Sequence, residues 1–289
     1  ANLHRVVMTD LDGESAKAFQ PFGSDDSLYP EDLWAWLDKT SQDTGGNFIA
    51  IPHNSNISKG AMFDTITMRN EPIGAEYAEI RRRWEPVVEI TQYKGDSETH
   101  QTLSPDDPFA DFENYPYYIQ RDWTEYKPQV GDFVRSALIR GLQLEQKIGV
   151  NPYQFGVIGS TDAHTGLAAA EESNFHGKFA TDSMPSAKLE GWSDNANSSF
   201  GWAMGAQGLA AVWAEENTRE AILAAMKRRE TYATTGPRIG LRFYAGYDFD
   251  GALLPSSSLP TDLSDAVPMG GEITAKGAAA PTFLVQAMA

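Results

Sequence analysis

The sequence predicts an α/β fold on two observations. Short apolar runs at residues 3–8, 48–51, 87–90 and 155–158 alternate with stretches of helical spacing, and the last three each lead into groups able to hold a metal or move a proton. Strands separated by helices favour a parallel arrangement. In parallel α/β barrels the functional groups gather at the carboxyl ends of the strands.

The first strand, residues 3–8, opens almost at the first residue. Pro30, with acids beside it, marks the entry of a helix whose apolar stripe is Leu33, Trp34 and Leu37 and which Gly45-Gly46 stops. A strand at 48–51 runs into Pro52-His53-Asn54-Ser55-Asn56. Residues 76–84 read as a charged helix with Arg81, Arg82 and Arg83 on or near its solvated face, followed by the strand at 87–90 and the polar run from Thr91 to His100. Between 103 and 130 the chain is rich in Pro, Asp and aromatic residues, Tyr115 and Trp123 among them, and reads as an ordered excursion or lid. Asp132 is placed as the cap of a helix that ends at Gly149 and feeds the strand at 155–158. Beyond it, residues 170–202 read as a polar insertion, and Asn217-Thr-Arg-Glu220 as a capping box opening a helix to about Arg229. Residues 241–244 and 282–285 read as strands, and 256–280 as loop.

Composition narrows the function. With 289 residues, 41% of them apolar, and seven Trp, the chain can bury a large core. No window approaches the roughly 18 apolar residues of a membrane span, so no membrane-crossing helix is expected. The chain has no Cys, which excludes disulfides, cysteine nucleophiles and thiolate metal sites, so any metal must be held by His, Asp and Glu. A net charge of −17 argues against a nucleic-acid partner, which needs a basic face.

The string Gly159-Ser160-Thr161-Asp162-Ala163-His164 sets a carboxylate and an imidazole at positions i and i+2 just after a strand. In extended backbone such residues project the same way, so both can converge on a divalent cation. A solvated Asp beside a loop His is the alternative for that triplet taken alone. Of five His in the chain, His4, His53 and His164 lie on or just after predicted strands, a clustering that core packing does not explain.

Five motifs in order carry a resemblance: Asn2-Leu-His-Arg5, Ile51-Pro-His-Asn-Ser-Asn56, Gln92-Tyr-Lys-Gly-Asp-Ser-Glu-Thr-His100, Gly159-Ser-Thr-Asp-Ala-His164 and Tyr232-Ala-Thr-Thr-Gly-Pro-Arg238. Over roughly residues 1–245 the chain resembles an uncharacterised bacterial branch of the polymerase-and-histidinol-phosphatase (PHP) superfamily. The resemblance implies the C-terminal portion of a distorted (β/α)7-type barrel, with insertions at about 101–131 and 170–205 and a loop-rich, partly β extension at 246–289. It implies two or three divalent ions (Zn, Mn or Fe) at the carboxyl ends of the strands, with His4, His53, Asp162 and His164 among their ligands, and hydrolysis of phosphate esters by a metal-bound hydroxide. The superfamily's opening His-x-His, a further His and a bridging Glu have no counterpart before His4. Either the chain is part of a longer polypeptide whose missing N-terminal segment completes the site, and is nearly inactive alone, or it has lost about half its metal ligands; the abrupt start in a strand favours the first.

Roles follow within that frame. Asp162 is also the candidate for orienting the nucleophilic water. His100 is a candidate general acid, an extra ligand, or a loop residue hydrogen-bonded to Glu98. Lys94 and Arg238 are candidate clamps for a small anionic substrate. Glu89 is expected either to face the barrel or to form an ion pair at the core edge, and His176 to lie on the surface. A metal-dependent phosphoesterase is the first expectation. A hydrolase of an amide, lactone or sulfate ester using the same metals, and a non-catalytic protein that binds through its aromatic excursion, are the alternatives. The acidic composition and the resemblance together point to a periplasmic or secreted location.

Overall fold

The computed structural model describes residues 2–119, 124–167, 176–180, 201–247 and 266–288. Helix α1 (Pro30–Thr44) forms as its sequence dictates. Pro30 occupies the first turn with Glu31 and Asp32, and Gly45 closes the helix in the left-handed region (φ 71°), donating its N–H to Ser41 O. Its buried stripe of Leu33, Trp34 and Leu37 packs on Phe48 and Ala50 of strand β2 (Phe48–Pro52) and on Trp84. Helices α2 (Ala75–Trp84) and α3 (Val134–Ile148) cover strand β3 (Val87–Gln92), with Ala78, Val134, Ala137 and Leu144 clustered around Val88.

Strand β3 is flanked by β4 (Gly95–Asp96), antiparallel, and by β5 (Gly156–Gly159), parallel, with an irregularity in the latter ladder between Glu89 and Thr91. Strand β1 (Arg5–Thr9) runs antiparallel to β2, with Val6 opposite Ile51. Strands β6 (Leu209–Val212) and β7 (Thr231–Thr234), joined through helix α4 (Arg219–Lys227), also pair antiparallel. Strand β8 (Gly240–Gly246) is the centre of a last antiparallel sheet, between β9 (Val267–Pro268) and β10 (Thr282–Met288).

The fold is thus mixed α/β, and uniform parallel pairing does not hold: among the described residues only β3 with β5 is parallel, and no barrel closes. Apolar periodicity marks a strand without marking its direction, so it carried no information on this point. Strands β4, β6, β7 and β9, two to four residues each, lack the compact run of large apolar residues by which the others were placed.

One face of the central strands positions the site. Ile49 and Ile51 point away from α1 and meet Val87 of β3, Ile158 of β5, and Leu223 and Met226 of α4. Fully burying such side chains stabilises the fold by about 1.5–3 kcal/mol each. Two residues further along each strand, on the same face, stand His53, Glu89 and Ser160.

Three local expectations are corrected. Arg81 does not face solvent: with Ala78 and Trp84 it forms the buried stripe of α2, while Arg82 and Arg83 are exposed. Its Nε donates to Glu85 Oε2 at 3.0 Å and its Nη2 to Met62 O at 2.9 Å. Asp132 does not cap α3, which is preceded by Phe133. It is fully buried and accepts from Ser58 Oγ (2.7 Å), Gly60 N (2.6 Å) and Gln129 N (2.8 Å), so it closes the single turn Val130–Asp132. The cap of α4 is Thr218, not Asn217, its hydroxyl accepting from Ala221 N at 3.2 Å. Trp123 and most of the insertion at 170–202 lie outside the described residues, as does the first part of the 256–280 tail.

Glu85 is held between two guanidinium groups. Arg5 Nε (2.8 Å) and Trp34 Nε1 (3.0 Å) donate to its Oε1, opposite the bond from Arg81. Burial works against ionisation of Glu85, but the charges of Arg5 and then Arg81, with the hydrogen bonds from Arg5 and Trp34, outweigh it and hold the carboxyl below the usual range. Replacing Glu85 with Gln leaves two buried cations undercompensated and is expected to lower stability by about 3–5 kcal/mol at pH 7, measured by urea unfolding. Because the folded-state pKa is depressed, the stabilisation is present above the ordinary glutamate value near 4.5 and is lost on acidification below it. The gap between wild type and Glu85→Gln should therefore narrow as the pH falls below that value.

Candidate functional site

His53 leaves the end of β2 with its backbone N–H donated to His4 O at 3.1 Å, which extends the β1–β2 ladder by one rung. The two imidazole rings stack with centroids 6.2 Å apart and planes 10° from parallel, His53 buried and His4 exposed. Glu89, at 4% exposure, faces His53: the imidazole Nδ1 lies 3.0 Å from both carboxylate oxygens. Glu89 also accepts from Asn54 N at 3.2 Å and from the Ser160 hydroxyl. With Nδ1 donating to Glu89, the lone pair of His53 is on Nε2, where Asn54 Nδ2 donates to it at 2.6 Å. That nitrogen lies 3.8 Å from Asp162 Oδ2.

Asp162 is the hub. Its Oδ1 lies 3.1 Å from His164 Nε2, and its Oδ2 accepts from Gln92 Nε2 at 2.9 Å and from the ammonium groups of both Lys94 and Lys178. Lys178 also donates to Asp162 O at 2.7 Å and comes within 3.1 Å of His164 Nε2, while His164 N donates to Lys178 O at 2.8 Å. Burial opposes ionisation of Asp162, but Lys94, then His53, and the hydrogen bonds from Lys178 and Lys94 hold its carboxyl far below the usual range. His4 is pushed below the ordinary imidazole value by partial desolvation and then by His53 and Lys94.

The backbone is special at two of these positions. Asn54 (φ 53°) and Asp162 (φ 55°) both adopt the left-handed region, which Asn and Asp tolerate best among residues with a side chain. Asp162 and His164 therefore meet through a turned backbone rather than through the alternation of an extended loop. Gly208 lies against the same strand ends: a Cβ there would stand 2.6 Å from Thr91 O and 2.7 Å from Ser160 N and O, so only glycine permits that approach.

The description of one protein family, "Protein of unknown function (DUF3604)", matches residues 1–289. The chain belongs to the DUF3604 family. Comparison with curated proteins and with solved structures returned no match.

In this DUF3604 chain the sequence-derived candidates separate into two groups. His4, His53, Lys94, Asp162 and His164 come together. His100 does not join them: its Nδ1 pairs with Thr102 Oγ1 at 2.9 Å and its ring neighbours are Tyr126 and Phe133. Glu98 instead pairs with Arg135. Arg238 is exposed beyond the end of β7, and His176 is half-buried. Glu89 resolves to the inward orientation. Sequence reasoning missed Asn54, Gln92, Ser160 and Lys178. The first three stood inside quoted motifs as polar residues with no distinguishing chemistry, and Lys178 sat in a segment without pattern.

Whether these donors suit a divalent ion can be judged from their spacing. Ligands about 2.1 Å from a tetrahedral ion lie roughly 3.4 Å apart, and the His53–Asp162 and Asp162–His164 separations of 3.8 and 3.1 Å bracket that value. Glu89 on the far nitrogen of His53 is the outer partner expected of a metal-bound imidazole. Donor type and spacing therefore fit, although among the described residues no three His, Asp or Glu side chains already form a metal-holding group. Lys94 and Lys178 fill the side of Asp162 Oδ2, and one ammonium must give way for an ion to use that oxygen.

Removing Glu89 deprives the His53 ring, Asn54 N–H and Ser160 hydroxyl of their common acceptor inside a buried site. Glu89→Ala is expected to cost about 2–4 kcal/mol of folding stability by denaturant titration. Ser160→Ala, which removes one of the three donors, should cost about 1 kcal/mol.

Proposed function

We propose that the site belongs to a metal-dependent hydrolase acting on phosphate esters, built on a PHP-type fold. The observation that carries this reading is the convergence of His53, Asp162 and His164 at the ends of β2 and β5, with Glu89 behind His53. His53 Nε2, an Asp162 oxygen and His164 Nε2 would hold one divalent ion, with His4 beside them toward a second. Such an ion supplies Lewis acidity and a water that ionises near neutral pH.

The chain's own residues do the rest. Glu89 fixes the His53 tautomer and leaves the lone pair on Nε2, where the Asn54 amide that now donates to it would have to give way to an ion. Asp162, held ionised by its cationic neighbours, would orient the attacking water. Lys94, buried beside Asp162, balances negative charge on the substrate. Within the aromatic excursion, Tyr115 and Tyr118 are buried in a cluster with Ile57, Tyr93 and Met204, while Phe109 and Phe112 are exposed.

The test is made on the full-length polypeptide. Elemental analysis should find bound Zn, Mn or Fe, and His53→Ala and Asp162→Ala should each lose metal and lower phosphatase activity by about 100-fold or more. Turnover of a nitrophenyl sulfate or carboxylic ester, with phosphate esters inert, would move the assignment to another bond. Metal-free protein with His53→Ala indistinguishable from wild type would end the hydrolase reading.

A further inference from the structure

The side chains of Lys178 and Lys94 are 4% and 6% exposed, and their ammonium groups meet at a single carboxylate oxygen, Asp162 Oδ2. Burying an ammonium costs several kcal/mol unless paired, and here two share one carboxylate. The arrangement is oversubscribed on one side and undersubscribed on the other. Asp162 Oδ2 takes three nitrogen donors, counting Gln92, where a carboxylate oxygen offers about two lone-pair sites. The Lys94 ammonium has three N–H groups and Asp162 Oδ2 as its one side-chain or backbone acceptor among the described residues. Buried N–H groups without acceptors call for a partner that brings several oxygens at once.

We propose that Lys94 and Lys178 together form a receptor for a tetrahedral oxyanion, the phosphoryl group of a phosphomonoester, with Lys178 the clamp delivered by residues 176–180. This rests on the phosphoesterase reading of the same site and names its substrate class. Two ammonium groups drawn to one oxygen can straddle two oxygens of a phosphoryl group, each keeping a charge-assisted hydrogen bond. Lys178 is already anchored by its bond to Asp162 O and by the His164 N–H donated to Lys178 O, so its head is positioned before the anion arrives. In a chain of net charge −17 the two ammonium groups exceed by one the single carboxylate they share.

Inorganic phosphate is the probe, titrated calorimetrically into full-length, metal-loaded protein. Lys178→Met should weaken phosphate binding about tenfold or more with metal content and circular dichroism unchanged, Lys94→Met should do the same, and Lys178→Arg should retain most of the affinity. Phosphate affinity of Lys178→Met within about twofold of wild type, or no phosphate binding by the wild-type protein, overturns the proposal. Ester turnover is scored separately. Lys178-dependent phosphate binding without turnover upholds the oxyanion site and removes the phosphoesterase reading; turnover with phosphate binding indifferent to Lys178 overturns the oxyanion site alone.

Discussion

The site depends on one constraint, the shared inward face of β2, β3 and β5. Parallel pairing of Val87–Gln92 with Gly156–Gly159 fixes the register in which Glu89 stands opposite Ile158, and the residues that follow, Gln92 and Lys94 on one side and Ser160 and Asp162 on the other, meet past the strand ends. The apolar layer of Ile49, Ile51, Val87 and Ile158 dries the floor. Continuing each strand by two residues turns that floor into His53, Glu89 and Ser160, so the same alternation that builds the core also aims the polar groups. A one-residue slip of β3 would exchange Glu89 for Ile90 and bury neither properly.

Two buried glutamates bracket the start of β3 and tie it to β1 from opposite sides. Glu85 takes the guanidinium of Arg5, and Glu89 takes the ring of His53, whose own N–H goes to His4 O. Arg5, the first residue of β1, and His4 immediately before it thus connect a structural ion network to the candidate site. The two networks differ in what surrounds the charge. Glu85 is saturated by Arg5, Arg81 and Trp34, which makes it an anchor. Around Asp162 donors exceed acceptors, which makes it a receiving site.

Much of this was legible along the chain. Pro30 and Gly45, Gly149, and the apolar runs located α1, the end of α3, and strands β1, β2, β3, β5, β8 and β10 to within a few residues, because caps and periodicity act over one or two turns. The Asp162-His164 spacing and the His53 position pointed to residues that the fold brings together, although Asp162 reaches the cluster from a left-handed backbone that no spacing rule anticipates. What stayed hidden shared one property: its meaning is set by a distant partner. Arg81 is a surface residue by composition and a buried one by its bonds to Glu85 and Met62 O. Asp132 looks like a helix cap until Ser58 and Gly60, more than 70 residues away, supply its donors. Lys178 and Gln92 carry no local signal at all.

Local chemistry along the chain settled the helices and strands β1, β2, β3, β5, β8 and β10, the restriction of any metal ligands to imidazole and carboxylate, and which His and Asp stand at strand ends. These are local properties, decided by side-chain chemistry and by periodicity within a dozen residues. The tertiary structure alone decided strand direction, the inward orientation of Glu89, the exclusion of His100 and Arg238 from the cluster, and the arrival of Lys178. The physical reason is that apolar patterning is blind to direction, and that a charge can be buried only where a partner from elsewhere in the chain meets it.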